Sequence, residues 1–269
     1  PYGEFLSQVL GFTSTDGKGQ SGLELYYDDL LKGKDGEILY ETDIVGIEIE
    51  GSSASYIPAV DGLNVKLTID YGVQQVAEAA VKEAYTVTGA KSVKCVVMDP
   101  SSGAIRAMAI APSFDLNNIP RDDTESLLKL SRNTIVSDVY EPGSTFKIFT
   151  ATADIAEFYK GNPKAFSTSK IFNSSRYRYI DGTRVKCWSD HKNGKHAALN
   201  LEGALKNSCN PIFVDILCSL GKNTMYKYIS MFGFGETTGI DFTGEAHGML
   251  MPESAVKNVD IARIGFGQS

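Results

Sequence analysis

Ser144 and Lys147 stand three residues apart in the run Glu141-Pro142-Gly143-Ser144-Thr145-Phe146-Lys147-Ile148-Phe149. A serine hydroxyl is a weak nucleophile until a base takes its proton, and a lysine amine is such a base only when its pKa is depressed. Pro142 and Gly143 punctuate the approach, and an apolar stretch then runs unbroken to Phe158, which reads as a helix opening at the serine. Positions i and i+3 share a helix face, so the Lys147 amine is expected beside the Ser144 hydroxyl. Burial and the positive end of the helix both favour a neutral amine there. The chemistry on offer is acyl transfer through a serine ester.

The spacing alone carries little. Ser126-Leu-Leu-Lys129 and Ser167-Thr-Ser-Lys170 repeat it without the Pro-Gly entry or the long apolar helix, and both read as surface segments. A second element gives the first its weight. Ser208-Cys209-Asn210 falls between a helical stretch, Leu201 to Lys206, and another that opens with Pro211 and closes at Gly221. Phe213, Ile216, Leu217 and Leu220 supply the apolar face of that second helix. Such a corner aims a hydroxyl and an amide into a cleft. The plainer alternative is an ordinary helix-corner cap, a place both residue types favour.

The elements that must position these groups are legible in outline. Asp70 reads as the N-cap of a helix with Val73, Val76, Ala77, Ala80, Val81 and Ala84 on its apolar side. Val93 to Met98 and Ala104 to Ile110 read as a hairpin around Asp99-Pro-Ser-Ser-Gly103. Helix, hairpin and a helical block together predict an α+β fold, an antiparallel sheet flanked by helices. Phe146 and Phe149 are expected in its core. Residues 1–58 mix polar-apolar alternation, Glu37 to Tyr40 and Val45 to Glu50, with glycine turns; they read as a small β-rich pedestal that ends in the linker Gly51 to Ser55. Residues 59–269 then form the larger domain. A length of 269 residues suits this two-part reading, and a 42% hydrophobic share is ample for a packed core. A net charge of −7 argues against nucleic acid as a partner. No stretch reads as a signal peptide or approaches the ~18 apolar residues of a membrane span.

In this order the two elements resemble those of penicillin-binding proteins and serine β-lactamases. Leu10-Gly11-Phe12, Gly17-Lys-Gly-Gln-Ser-Gly-Leu-Glu24 and Leu31-Lys-Gly-Lys-Asp-Gly36 look like the stretch leading into class B penicillin-binding proteins. Leu67-Thr-Ile-Asp70 with Gln74-Gln75 resembles the entry to their transpeptidase domain, and Ile264-Gly-Phe-Gly-Gln268 the segment before their last strands. A β-lactamase would not carry the first of these. The resemblance implies the penicillin-binding transpeptidase fold, with a helical subdomain. It also implies a Lys-Thr-Gly or Lys-Ser-Gly strand, a motif not found between Asn210 and Ser269; the final strands are therefore expected beyond Ser269.

What the resemblance implies for chemistry is specific. Ser144 would attack the penultimate D-alanine of a peptidoglycan stem peptide and be trapped by β-lactams. Lys147 would be the base, Ser208 a proton relay, and Asn210 a holder of the substrate amide and of Lys147. Catalysis would need no cofactor. Class B members sit on the extracytoplasmic face of the cell membrane through an N-terminal transmembrane helix, which this chain does not contain, and work with a membrane glycosyltransferase. The overall look suggests a Gram-positive, clostridial, sporulation-specific member. The competing readings are a β-lactam-hydrolysing relative, for which no deacylating glutamate element is evident, and a β-lactam sensor or scaffold.

Cys187, Asp190, His196 and Cys209 form a second constellation, of ligand types that zinc takes. Some elongation-type class B proteins carry similar elements and bind zinc beside the active site, so a structural zinc is one expectation. A Cys187–Cys209 disulfide is another, and a buried filler role for Cys209 a third. Cys95 and Cys218 are expected as buried thiols.

Overall fold

A computed structural model of the chain describes residues 2–39, 41–42, 44–47, 49, 55–189 and 198–268. The chain forms two compact units, residues 1–138 with 239–246, and residues 139–238 with 247–269.

The first unit opens with three short helices, α1 (Ser7–Leu10), α2 (Gly22–Tyr26) and α3 (Asp28–Leu31). The antiparallel pair β1 (Glu37–Leu39) and β2 (Ser55–Ile57) follows. Strand β1 lies within the expected Glu37 to Tyr40 run, and the three short helices add helical structure to this region. Ile44, Val45, Ile47 and Ile49 are all exposed, so their alternation fills no sheet face. Burial comes from Leu6, just before α1, and from helix-borne Val9 and Leu23, which cluster with Met108.

Helix α4 (Tyr71–Thr88) starts where expected, with the Asp70 carboxylate accepting the Val73 N–H at 3.0 Å. Ala77 and Val81 on α4 pack on Ala107, Ala109 and Ala111 of β4 (Ile105–Ala111), which pairs antiparallel with β3 (Val93–Met98), Cys95 opposite Ala109. Small residues on the strand let the helix lie close. Gln74 of α4 is fully buried and completes that approach: its Oε1 accepts the Met108 N–H at 2.8 Å and its Nε2 donates to the Met108 carbonyl at 3.0 Å. A side-chain amide thus satisfies both main-chain groups of one β4 residue. Helices α5 (Thr124–Ser131) and α6 (Thr134–Ser137) complete the unit.

The second unit holds a 3₁₀ turn, Gly143–Phe146, that runs straight into α7 (Lys147–Tyr159). Then come β5 (Phe172–Asn173), the hairpin β6 (Tyr177–Ile180) and β7 (Thr183–Lys186), β8 (Ala198–Leu199), α8 (Leu201–Lys206) and α9 (Asn210–Leu220). Helices α10 (Lys222–Met231) and α11 (Asn258–Ile264) close it. Strand β5 pairs with β8. The hairpin turns through Asp181 and Gly182 at φ 45° and 77°, the positive-φ pair that a tight two-residue turn demands. Helix α9 is the centre of the core: Ile212, Phe213, Val214, Ile216 and Leu217 are all buried, as befits a helix packed on several sides.

Candidate active site

Lys147 is 1% exposed at the head of α7, and Ser144 lies exposed one turn before it. The Lys147 Nζ is 2.8 Å from the Ser144 Oγ, so the two side chains meet as their spacing predicts. From the other side come the Ser208 Oγ at 2.8 Å, the Asn210 Oδ1 at 2.7 Å and the Ser208 carbonyl at 3.3 Å. Both sequence elements therefore converge on one nitrogen.

The electrostatics follow from burial. Desolvation lowers the Lys147 pKa from 10.5 to about 8, against an opposing pull from the Cys187 and Cys209 sulfurs. The rings of Phe213 and Phe266 lie 5.7 and 6.0 Å from the nitrogen and keep water from it. A neutral amine has two N–H groups and a lone pair. The Asn210 Oδ1 and the Ser208 carbonyl can only accept, so they claim the N–H groups and leave the lone pair for the Ser144 O–H. This is the protonation pattern a base needs.

Each partner is held by its own element. Ser208 has φ 49°, the left-handed region, and this turns both its hydroxyl and its carbonyl toward Lys147. Hydrogen bonds from Ser208 N to Leu205 O (3.0 Å) and from Cys209 N to Ala204 O (2.9 Å) fix that corner at the end of α8. Asn210 opens α9, and its Nδ2 donates to the Lys186 carbonyl at 3.3 Å. Behind the nucleophile, the Gly267 carbonyl accepts the Gly143 N–H at 2.9 Å, and the Thr150 hydroxyl donates to the Gly265 carbonyl at 3.0 Å. Gly267 has φ +80°, and a Cβ added there would lie 2.0 Å from the Gly143 carbonyl oxygen. The segment Ile264 to Gln268 is therefore the backing of the Ser144 turn. The Ser-x-x-Lys runs at Ser126 and Ser167 stay apart: Lys129 is exposed and pairs with Glu125, and exposed Lys170 lies over the Phe166 ring.

The cysteines divide differently from expectation. Cys187 and Cys209 are buried thiols with no disulfide between them, against that expectation. Their mutual hydrogen bond and burial push the Cys209 thiol up, so it is protonated; it also shares a hydrogen bond of 3.2 Å with the Ser174 hydroxyl. Asp190 and His196 lie outside the described residues, and among the described residues no group of three or more ligand side chains could hold a metal ion. Cys218, expected as a buried thiol, is exposed on the outer side of α9, whose buried face is taken by larger apolar residues. Cys95 is half-buried, packed against the α4–β4 cluster. Trp188 is exposed, with its indole N–H on the Asn207 carbonyl at 3.0 Å.

The model of the penicillin binding protein transpeptidase domain matches residues 93–269. The chain belongs to that family. The model of the penicillin-binding protein dimerisation domain matches residues 2–67. Stage V sporulation protein D of Bacillus subtilis is 40% identical over 268 residues, 100% of this chain and 40% of the relative. The peptidoglycan D,D-transpeptidase FtsI of Escherichia coli is 28% identical over 99% of this chain and 42% of its own length. The chain thus spans about two-fifths of these relatives. A peptidoglycan synthetase of Bifidobacterium adolescentis superposes with a TM-score of 0.82 at 27% identity, over 99% of this chain and 46% of that one. Penicillin binding protein 3 of Mycobacterium tuberculosis in complex with aztreonam gives 0.82 at 26%, over 100% and 54%. The fold is the α+β penicillin-binding transpeptidase fold.

Within that family site, two contributors have no local sequence signal: the Lys186 carbonyl, a main-chain atom, and the left-handed Ser208, whose residue type rarely takes that region.

Proposed function

We propose that this chain carries the acylating centre of a serine D,D-transpeptidase of peptidoglycan synthesis. The observation that supports it most is the buried Lys147 amine, of depressed pKa, bonded at once to Ser144, Ser208 and Asn210. The Ser144 Oγ attacks the carbonyl carbon of the penultimate D-alanine while its proton passes to Lys147. The Ser144 N–H, at the head of the helix, is one donor to the oxyanion. As the carbon–nitrogen bond breaks, the proton travels from Lys147 through the Ser208 hydroxyl to the leaving nitrogen, and D-alanine departs. The amine of a neighbouring strand then attacks the ester and gives its proton back along the same route to Ser144. Asn210 holds the amine and the substrate amide. In this reading residues 59–269 are the transpeptidase domain and residues 1–58 belong to the pedestal before it, a division supported by the two family matches.

The test is intact mass of the full-length protein after penicillin, with peptide mapping. One adduct of the whole ring-opened drug on Ser144 is expected, and none in Ser144→Ala at unchanged melting temperature. Labelling of Ser144→Ala at the wild-type rate would overturn the nucleophile. An adduct with no D-alanine release from a D-alanyl donor would move the protein to the sensor class.

The finer features rest on likeness. A sporulation role follows from the identity with stage V sporulation protein D; loss of the gene should spare division and abolish spore heat resistance. Extracytoplasmic placement and a membrane glycosyltransferase partner come with the family reading, and co-purification of such a transferase from detergent extracts checks the latter. A structural zinc would use Cys187 and Cys209 with Asp190 and His196. Fewer than ~0.1 zinc per chain after metal supplementation would end that idea.

A further inference from the structure

An asparagine amide can be turned over at little cost unless something tells its two ends apart. At Asn210 the difference is made by the Lys186 carbonyl, which can only accept and so draws Nδ2, leaving Oδ1 for Lys147. If that carbonyl were displaced, the amide could present its NH₂ to the amine. The lone pair of Lys147 would then be spent on Asn210 rather than on Ser144. What holds the Lys186 carbonyl in place is therefore of consequence for the chemistry.

Lys186 ends β7, opposite Tyr177 on β6. One side chain ties this hairpin to α9. The Arg178 Nε and one terminal nitrogen each lie 2.6 Å from the two Asp215 carboxylate oxygens, a bidentate fork on the helix that begins with Asn210. The rest of the guanidinium gathers the loop before β6, through the Ser175 hydroxyl at 2.8 Å and the Tyr177 and Asn173 carbonyls at 3.3 Å each. That loop includes Ser174, which bonds the Cys209 thiol in the middle of the Ser-x-Asn corner. Past Lys186 the chain is fastened again, by the Cys187 N–H on the Arg176 carbonyl at 2.9 Å. Arg178 and Asp215 are only partly exposed, so the fork is better shielded than a surface pair.

We infer that the β6–β7 hairpin is the positioning element of Asn210, and that Arg178, forked onto Asp215, is the residue that fixes it. The inference rests on the acyl-enzyme reading and adds to it a group that touches neither substrate nor the reacting atoms.

The experiment separates the two. Full-length wild type, Arg178→Gln, Arg178→Lys, Asn210→Ala and the double variant Arg178→Gln/Asn210→Ala are titrated with a fluorescent penicillin, resolving the acylation step k2 from the non-covalent Kd. Arg178→Gln should lose ~10-fold or more in k2, as misplaced catalytic groups do, with Kd within about threefold. Arg178→Lys keeps the charge without the fork and should recover only part of that loss. The double variant should be no slower than Asn210→Ala, since Arg178 acts through Asn210. Should Arg178→Gln lose its melting transition, Asp215→Asn, which keeps the volume, carries the same test. Unchanged k2, or losses that multiply in the double variant, would overturn the hairpin's role while leaving Ser144 acylation intact. Absence of an adduct in the wild type would overturn the acyl-enzyme reading, and the hairpin's role with it.

Discussion

Lys147 decides how the site behaves with pH. Its folded pKa of about 8 lies below the 10.5 of an unfolded lysine, because burial disfavours the charged amine. Only the neutral amine accepts the Ser144 proton, so acylation should rise with pH, about tenfold per unit below 8, and level off above it. A β-lactam acylation rate measured against pH checks this; a flat profile across that range would assign the base elsewhere. Lys147→Arg should lose ~10²-fold or more, because a guanidinium does not give up its proton at these pH values. The residue types of this quartet, Ser144, Lys147, Ser208 and Asn210, were legible in the sequence because the two elements occur together and in order, each giving weight to the other. The four polar atoms around Nζ were not, since one of them is a main-chain carbonyl turned inward by a left-handed serine.

At the scale of the element, two close contacts can be tested directly. Gly267 abuts the turn that bears Ser144, and Gly267→Ala brings both a disfavoured φ and a clash with the Gly143 carbonyl. A loss of ~1–3 kcal/mol is expected, together with slower acylation, from a Tm shift and a k2 measurement on one preparation. In the other unit, Gln74→Ala leaves the buried Met108 N–H and carbonyl without their partner. That should cost ~1–3 kcal/mol in stability, while denaturant melts of an Asp70→Ala control, which loses a cap, fall by about 1 kcal/mol. Elements with strong local punctuation were read correctly: α4 from Asp70, α9 from Pro211 and Gly221, and the β3–β4 hairpin. The Asp181-Gly182 hairpin has a signal too, an Asp-Gly pair between alternating residues. In the pedestal the Glu37 to Tyr40 alternation holds strand β1, which pairs with β2, while the described residues of the Val45 to Glu50 alternation are exposed and form no strand, because alternation makes a strand only where a partner strand pairs with it.

For the whole molecule, two buried groups on α7 set opposite pH windows. Asp154 is 1% exposed, and burial raises its pKa from 3.8 to about 6 even though it accepts the Phe166 N–H at 3.0 Å and has Lys170 nearby. A raised folded pKa means the unfolded chain holds fewer protons. This contribution to stability is therefore fully present below about 3.8 and is lost as pH rises through about 6. Lys147 works the other way in direction: its charged form is disfavoured in the fold, so its penalty is present below about 8 and lifts as pH climbs toward 10.5. Asp154→Asn should accordingly melt higher than wild type near pH 8 and match it near pH 4, with thermal scans at both values as the check. Equal shifts at the two pH values would mean that the Asp154 pKa is not raised in the fold.

The sequence by itself determined the family and the groups on which the proposed chemistry is built. A serine and a lysine three residues apart, with a Ser-x-Asn corner some sixty residues on, mark the candidate reacting groups, because a hydroxyl nucleophile and an amine base are properties of residue type. It also determined the elements whose ends are marked by caps, prolines and glycines. Only the tertiary structure decided how the groups meet. That the Lys147 pKa falls to about 8 follows from burial among Phe213, Phe266 and the Ser-x-Asn corner, and burial is a property of packing. That Asn210 faces it oxygen-first follows from a carbonyl on a hairpin twenty-four residues earlier. Such pairings join residues distant in the chain, and no local pattern of side chains can encode them.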